Sequence, residues 1–145
     1  MDTHYERPLL GEILLDRKRI TKEQMEHALE VQKKEKGFIG EILVKLGYLE
    51  ERDIVVALVV QCGLPYIAVA KYPIDPAVVR LIPKETAMQE RLIGLDRIGD
   101  ILSVVMTNPL SKEKKAKLEG MTGCRVATFI ATKSEIEEAI ARHYC

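Results

Sequence analysis

An internal repeat dominates the first half of the chain. Residues 10–32 read LGEILLDRKRITKEQMEHALEVQ and residues 39–61 read IGEILVKLGYLEERDIVVALVVQ, aligned without a gap at an offset of 29. Gly11/Gly40, Glu12/Glu41, Ile13/Ile42, Leu14/Leu43, Ala28/Ala57, Leu29/Leu58, Val31/Val60 and Gln32/Gln61 are identical. Leu10/Ile39, Leu15/Val44, Ile20/Leu49 and Met25/Ile54 are conservative pairs. Each copy is expected to form a helix–turn–helix hairpin. Leu10, Ile13, Leu14 and Arg17 have helical spacing, and a turn is expected near Lys18. Thr21 stands three residues before Gln24, a capping-box pattern that opens the second helix. Met25, Ala28, Leu29 and Gln32 then fall on one helical face, as do Ile54, Ala57, Leu58 and Gln61. Gly47 and Gly63 sit where a helix ends in a left-handed residue.

Two repeated residues call for explanation. Gln32 and Gln61 each close an otherwise apolar stripe, and a buried amide must be hydrogen-bonded. Each either lies half exposed at its helix end and bonds a nearby loop, or points its paired donor and acceptor at a ligand such as a nucleobase. Gly11 and Gly40 open the first helix of each copy. Either they permit close helix packing, or they let a phosphate approach free N–H groups at a helix N-terminus. Two equal copies would build a pseudo-twofold site, suited to a ligand with its own twofold symmetry.

The second half reads differently. Gly63-Leu64-Pro65 breaks the helical run, and residues 66–70 (YIAVA) read as a strand or extended crossover. Short helices are expected at 77–82 and 83–89, and strands at 92–96 and 101–106 around a turn at Arg97-Ile98-Gly99-Asp100. Ser111 opens a helix closed by Gly120 and Gly123, residues 125–130 alternate as a strand, and Thr132 or Ser134 caps a final helix that buries Ile136, Ala139 and Ile140. The expected class is α+β: tandem helical hairpins over residues 1–63, then a small sandwich-like α/β sheet with helices packed on it over 64–145.

Chemistry is thin. There is no GxxxxGK[ST] phosphate loop, and no nucleophile–base order suggests a triad. His4, His27 and His143 are far apart and share no metal-ligand spacing, so no metal site is expected. Asp53 falls inside a helix, Asp96 and Asp100 flank a turn, and the lysine runs at 33–36 and 112–115 read as solvated faces. Charges balance at 22 of each sign, which argues against DNA or RNA as a partner. With no Trp and two Phe, the core must be aliphatic and stacking platforms are lacking. Cys62, Cys124 and Cys145 form no CxxC pair; two buried thiols and one at the chain end in a reducing, cytoplasmic compartment are the expectation. No apolar run reaches the ~18 residues of a membrane span, so any inner-membrane association would run through a partner.

The arrangement resembles the N-terminal domain of the assembly ATPases of type II secretion and type IV pilus systems, the MshE-type N domain. In the first half the resemblance rests on LGEILLDRKRITKEQMEHALEVQ, the spacer KKEKG and FIGEILVKLGYLEERDIVVALVVQCGLPYI. In the second it rests on LIPKETA, DILSVVMTNPL and EIEEAIARHY. It implies a non-catalytic regulatory or docking module that requires no cofactor. Its implied partners are an inner-membrane platform protein or the ATPase of such a machine. In family members that bind cyclic di-GMP, the Leu-Gly pair, two helical apolar positions and the terminal Gln of each copy line the site. The matching residues here are Leu10, Gly11, Met25, Leu29 and Gln32, then Ile39, Gly40, Ile54, Leu58 and Gln61. The family motif places a basic residue directly before the Leu-Gly pair; this chain has Leu9 and Phe38 there, with Arg7 two residues before Leu9 as a candidate substitute. A guanidinium stacks on guanine and pairs with its acceptors, which Leu and Phe cannot do. Losing one such charge-assisted contact removes about 1.5–3 kcal/mol.

Overall fold

The structure, a computed structural model, describes Leu14 and residues 19–144. The chain divides into two compact units, with Gly63 ending the first and Leu64 opening the second.

In the first unit, helix α1 runs Lys22–Glu35, α2 Ile39–Lys45 and α3 Glu51–Cys62. The repeat is a repeat of structure. α1 and α3 begin at offset 29, and each opens with the same reciprocal contact. Thr21 Oγ1 accepts the Gln24 N–H and Gln24 Oε1 accepts the Thr21 N–H. In the second copy Asp53 Oδ2 accepts the Glu50 N–H at 2.8 Å. The turns before these helices also match: Arg19 N–H reaches Leu14 O at 2.9 Å, and Tyr48 N–H reaches Leu43 O at 3.0 Å. In the second, Gly47 takes the left-handed conformation (φ 83°) that such a helix end requires. Burial follows the repeat as well, since the pairs Leu14/Leu43, Ile20/Leu49 and Ala28/Ala57 are all buried.

In the second unit a 3-10 turn (Val69–Lys71) and two short helices, α4 (Pro76–Val79) and α5 (Lys84–Glu90), lead into strands β1 (Leu92–Ile98) and β2 (Ile101–Met106). Helix α6 (Lys112–Thr122), strand β3 (Arg125–Ile130) and helix α7 (Lys133–His143) follow. Sheet order is β1-β2-β3; β1 and β2 pair antiparallel around the Gly99–Asp100 turn, and β2 and β3 pair parallel through the α6 crossover. A bulge interrupts β1 between Gly94 and Asp96. Residues 92–95 and 104–106 are buried consecutively, so both faces of the sheet are covered there. Val78, Leu118, Ile136 and Ile140 from the helices, and Ile82 from the turn between α4 and α5, join that core. Gly94 lets α4 approach β1 closely: a Cβ on it would stand 3.1 Å from Val78 Cγ1. Ser111 caps α6 through the Lys114 N–H, and Thr132 caps α7 in a box with Glu135.

The α+β class and the strand–strand–helix–strand–helix order agree with the sequence reading. Several local expectations do not. Of the two readings for residues 66–70, the strand does not form: they make one bridge, Tyr66 to Ile130, on the way across. The chain then tightens into the 3-10 turn, which buries Val69. Gly120 lies inside α6, and Gly123 alone (φ 71°) ends it. The first short helix spans only Pro76–Val79. Strand β1 extends two residues past Asp96, because the turn needs only Gly99 and Asp100. Cys124 is buried but Cys62 is half-buried, and Cys145 lies outside the described residues.

The outer edge of β3 is occupied at both ends. Pro65 O accepts the Ile130 N–H, Ile67 N–H donates to Ile130 O, and Glu119 Oε2 accepts the Val126 N–H at 2.8 Å. Tyr66 adds a side-chain bond to Glu135 Oε2 at 2.6 Å. That bond, followed by burial and the charge of Glu135, pushes the Tyr66 hydroxyl up to about 12. At the end of α7, Tyr144 OH lies 3.1 Å from Val79 O and 2.7 Å from Ile82 O. Burial pushes its hydroxyl up to about 12.

A candidate ligand site in the repeat unit

Of the sequence-derived site residues, Arg7, Leu10 and Gly11 lie outside the described residues, as does Leu9. The others fall into two groups. Met25, Gly40 and Leu58 are buried, and Ile39 and Ile54 are half-buried, so these belong to the packing of the unit. Leu29 is 42% exposed, and Gln32 and Phe38, like Ile39 and Ile54, are half-buried. Gln61 falls in the last turn of α3; its side chain lies outside what is described.

Gln32 has a local partner. Its Nε2 donates to Gly37 O at 2.8 Å, and its backbone carbonyl accepts the Lys36 N–H. The amide therefore stitches the end of α1 to the spacer, which turns the chain into α2 within three residues. Lys36 takes φ 60°, ψ 178°, a region that glycine adopts freely and side-chain-bearing residues rarely do. Glu35 Oε1 and Lys45 Nζ, 2.8 Å apart, close the same turn from outside. Phe38 is the N-cap of α2 and supplies no side-chain cap. This is the position where the resembled family carries a basic residue.

One further contact crosses between the copies. His27 Nδ1 lies 2.5 Å from Tyr48 OH, with the rings edge-on at 5.8 Å. The sequence reading singles out His27 only as a histidine without metal-ligand spacing, and does not single out Tyr48. Helical spacing could have placed His27 on the flank of α1, but only the fold brings Tyr48 to it.

Polar groups in the α/β unit are mostly engaged in structure. The Tyr72 hydroxyl donates to Asp96, and that bond is the largest cause holding the phenol above its ordinary range. Arg125 Nε sits 3.1 Å from Asp100 Oδ2 and holds that carboxyl below its usual range. The Thr107 hydroxyl is buried and has no hydrogen-bond partner among the described residues. Among the described residues no group of three or more His, Cys, Asp or Glu could hold a metal ion. Among them, too, no helix is long and apolar enough to cross a membrane.

The model of the MshEN domain matches residues 62–144, more than half of the chain. The chain belongs to the MshEN family. Two curated relatives are type IV pilus assembly ATPases named PilB. The one from Myxococcus xanthus is 34% identical over 135 residues, 93% of this chain and 24% of the relative. The one from Thermus thermophilus is also 34% identical, over 137 residues, 93% of this chain and 15% of the relative. The chain thus spans less than a quarter of the length of either relative. A solved structure of MshE with cyclic di-GMP matches with a TM-score of 0.74 at 27% identity, over 95% of this chain and 100% of that one. The N-terminal domain of XpsE matches with the same TM-score at 19% identity, over 92% of each chain; that likeness concerns the fold alone.

Proposed function

We propose that this chain is a non-catalytic regulatory module of a type IV pilus or type II secretion ATPase, and that its repeat unit takes cyclic di-GMP across the two copies. The observation that carries the reading is the doubled hairpin. Caps, turns and buried pairs recur at offset 29, which gives a twofold-symmetric ligand two like frames, with Leu29 open in the first copy and Leu58 buried in the second. The 27% identical MshE structure holding that ligand supports it over almost the whole chain. Leu29 offers an apolar surface for a base and Gln32 an amide for its edge. Phe38, in place of a basic residue, supplies apolar contact without charge, so affinity is expected to be lower than a guanidinium would give.

Calorimetric titration of the chain with cyclic di-GMP tests this. Saturable heat below about 100 μM, weakened by both Gln32→Ala and Gln61→Ala, is expected; no heat at that concentration, which corresponds to about −5.5 kcal/mol, would overturn it.

A second role, docking to the cytoplasmic part of an inner-membrane platform protein, is favoured by the hairpin turn of the sheet. Ile98 and Ile101 are direct cross-strand partners there and are 74% and 41% exposed, beside Arg97. Pull-down with the platform protein's cytoplasmic domain should be lost in Ile98→Asp. Equal recovery by wild type and variant removes that surface from consideration.

A further inference from the structure

The repeat begins earlier than its apolar stripe. At the same offset of 29, residues 6–14 (ERPLLGEIL) face residues 35–43 (EKGFIGEIL). Glu6/Glu35 is identical, and Arg7/Lys36 keeps a positive charge. Cations are not kept elsewhere in the repeat. Arg17, Lys18 and Arg19 face Leu46, Gly47 and Tyr48, and Lys22 and Arg52 each face a glutamate. Arg7/Lys36 is thus the one position within residues 6–32 at which both copies carry Lys or Arg. The match is of charge and not of backbone: proline holds φ at about −65°, whereas Gly37, which faces Pro8, takes 111°.

Lys36 is exposed, and its ammonium has no ion pair or hydrogen bond among the described residues. Its neighbours are engaged, Lys33 with Glu30 at 3.9 Å and Glu35 with Lys45 at 2.8 Å. Lys33 and Lys34 already fill the last turn of α1, where the helix dipole favours a cation. Lys36 lies beyond that turn, at backbone angles that disfavour a side chain. Gln32 fixes it there. The Lys36 N–H donates to Gln32 O at 2.8 Å, and Gln32 Nε2 donates to the carbonyl of the next residue, Gly37, at 2.8 Å. A carboxamide has two N–H donors and an acceptor oxygen, so that one bond leaves Gln32 able to meet a base edge. A free cation is therefore anchored one residue from the carbonyl that the Gln32 amide touches. Two residues of chain span at most about 7 Å, a step within the range of a flexible four-carbon stem.

We propose that Lys36 supplies the second copy's cation for a phosphate of cyclic di-GMP, and that Arg7, its match at offset 29, does the same for the first copy. This rests on the cyclic di-GMP reading above and names the groups that neutralise the ligand. Arg7 lies outside the described residues, and its part rests on the sequence match. The ligand carries two phosphodiesters related by its twofold axis, so one cation per copy is the matching number. Positive and negative side chains balance over the chain, so attraction for a dianion has to be local.

The test is calorimetric titration of the full chain with cyclic di-GMP at low and high salt. Lys36→Met should bind about fivefold more weakly than wild type and lose less affinity as salt is raised, while Lys36→Arg binds as wild type does. Arg7→Met should lose about as much, and the double variant about the product of the two losses. Lys34→Met is the control: it removes an exposed lysine of the same turn, matched by Tyr5 in the first copy, and should stay within about twofold of wild type. All variants should unfold as wild type does. Wild-type affinity in Lys36→Met, or an equal loss in Lys34→Met, overturns the role of Lys36 and leaves the ligand site standing. A loss in Lys36→Met with none in Arg7→Met overturns the pairing of the copies. No binding by the wild type overturns the ligand reading, and this proposal with it.

Discussion

Leu29 and Leu58 occupy the same position in the two copies, yet Leu58 is 1% exposed and Leu29 is 42% exposed. Around them the copies agree: Leu14 matches Leu43, Ala28 matches Ala57, and the caps at Thr21 and Glu50 coincide. Duplication has therefore kept the inside of the hairpin and released its outer face. Residues that fill the interior are fixed by volume, since a lost methylene leaves a cavity. A residue that one copy leaves open, as Leu29 is, has more freedom to serve a ligand or to be covered.

The strongest way to break this comparison is to truncate the pair. Leu58→Ala should cost about 3 kcal/mol in denaturant unfolding, and Leu29→Ala less than about 1 kcal/mol. Equal losses would mean that the two faces are equally packed. The caps should behave the other way. Thr21→Ala and Asp53→Ala should each cost about 1 kcal/mol, within error of one another, because each removes one N-terminal contact of a matching helix. A large difference between them would show that the copies diverge at their helix starts too.

The α/β unit supplies the contrast outside the repeat. Tyr144→Phe removes the hydroxyl that reaches Val79 O and Ile82 O and should cost about 1 kcal/mol at neutral pH, read from the same unfolding curves. The native hydroxyls of Tyr66 and Tyr144 are raised from 10.0 to about 12, so they bind their protons more tightly folded than unfolded. Their stabilisation is complete below pH 10 and is lost as pH rises from 10 towards 12. The variant should lose less stability over that window than the wild type, while the repeat unit, which holds neither tyrosine, should not respond to the substitution. The smallest effect belongs to Thr107→Val. Exchanging an unpartnered buried hydroxyl for a methyl of similar shape should leave stability within about 1 kcal/mol or raise it.

What could be read from the sequence was whatever local hydrogen bonding decides. Thr21, Ser111 and Thr132 cap their helices as their side chains require, and Gly47, Gly63 and Gly123 end theirs at positive φ. The Glu50–Asp53 start was not legible, because Glu is an uncommon N-cap and only its register with Thr21 reveals it. Residues 66–70 look like a strand by composition, but partners are available only at Tyr66, and burying Val69 decides the rest. Lys36 gives no local sign of its left-handed angle; a glycine follows it, and the turn is set by Gln32 and by the α1–α2 ion pair. For the site, the sequence named the positions but not their exposure. Met25 and Leu29 are both apolar residues on one helix, and only the packing of the hairpins separates a core residue from an open one.

The guarded edge of β3 bears on how such a unit can be crowded. An exposed strand edge invites a foreign strand, and many copies of one chain held side by side multiply that risk. Here a carboxylate from α6 takes the amide at one end of the strand and the chain's own Pro65–Ile67 segment takes the other. Both ends of that edge are thereby closed to a foreign strand, while β1 forms the other edge of the sheet.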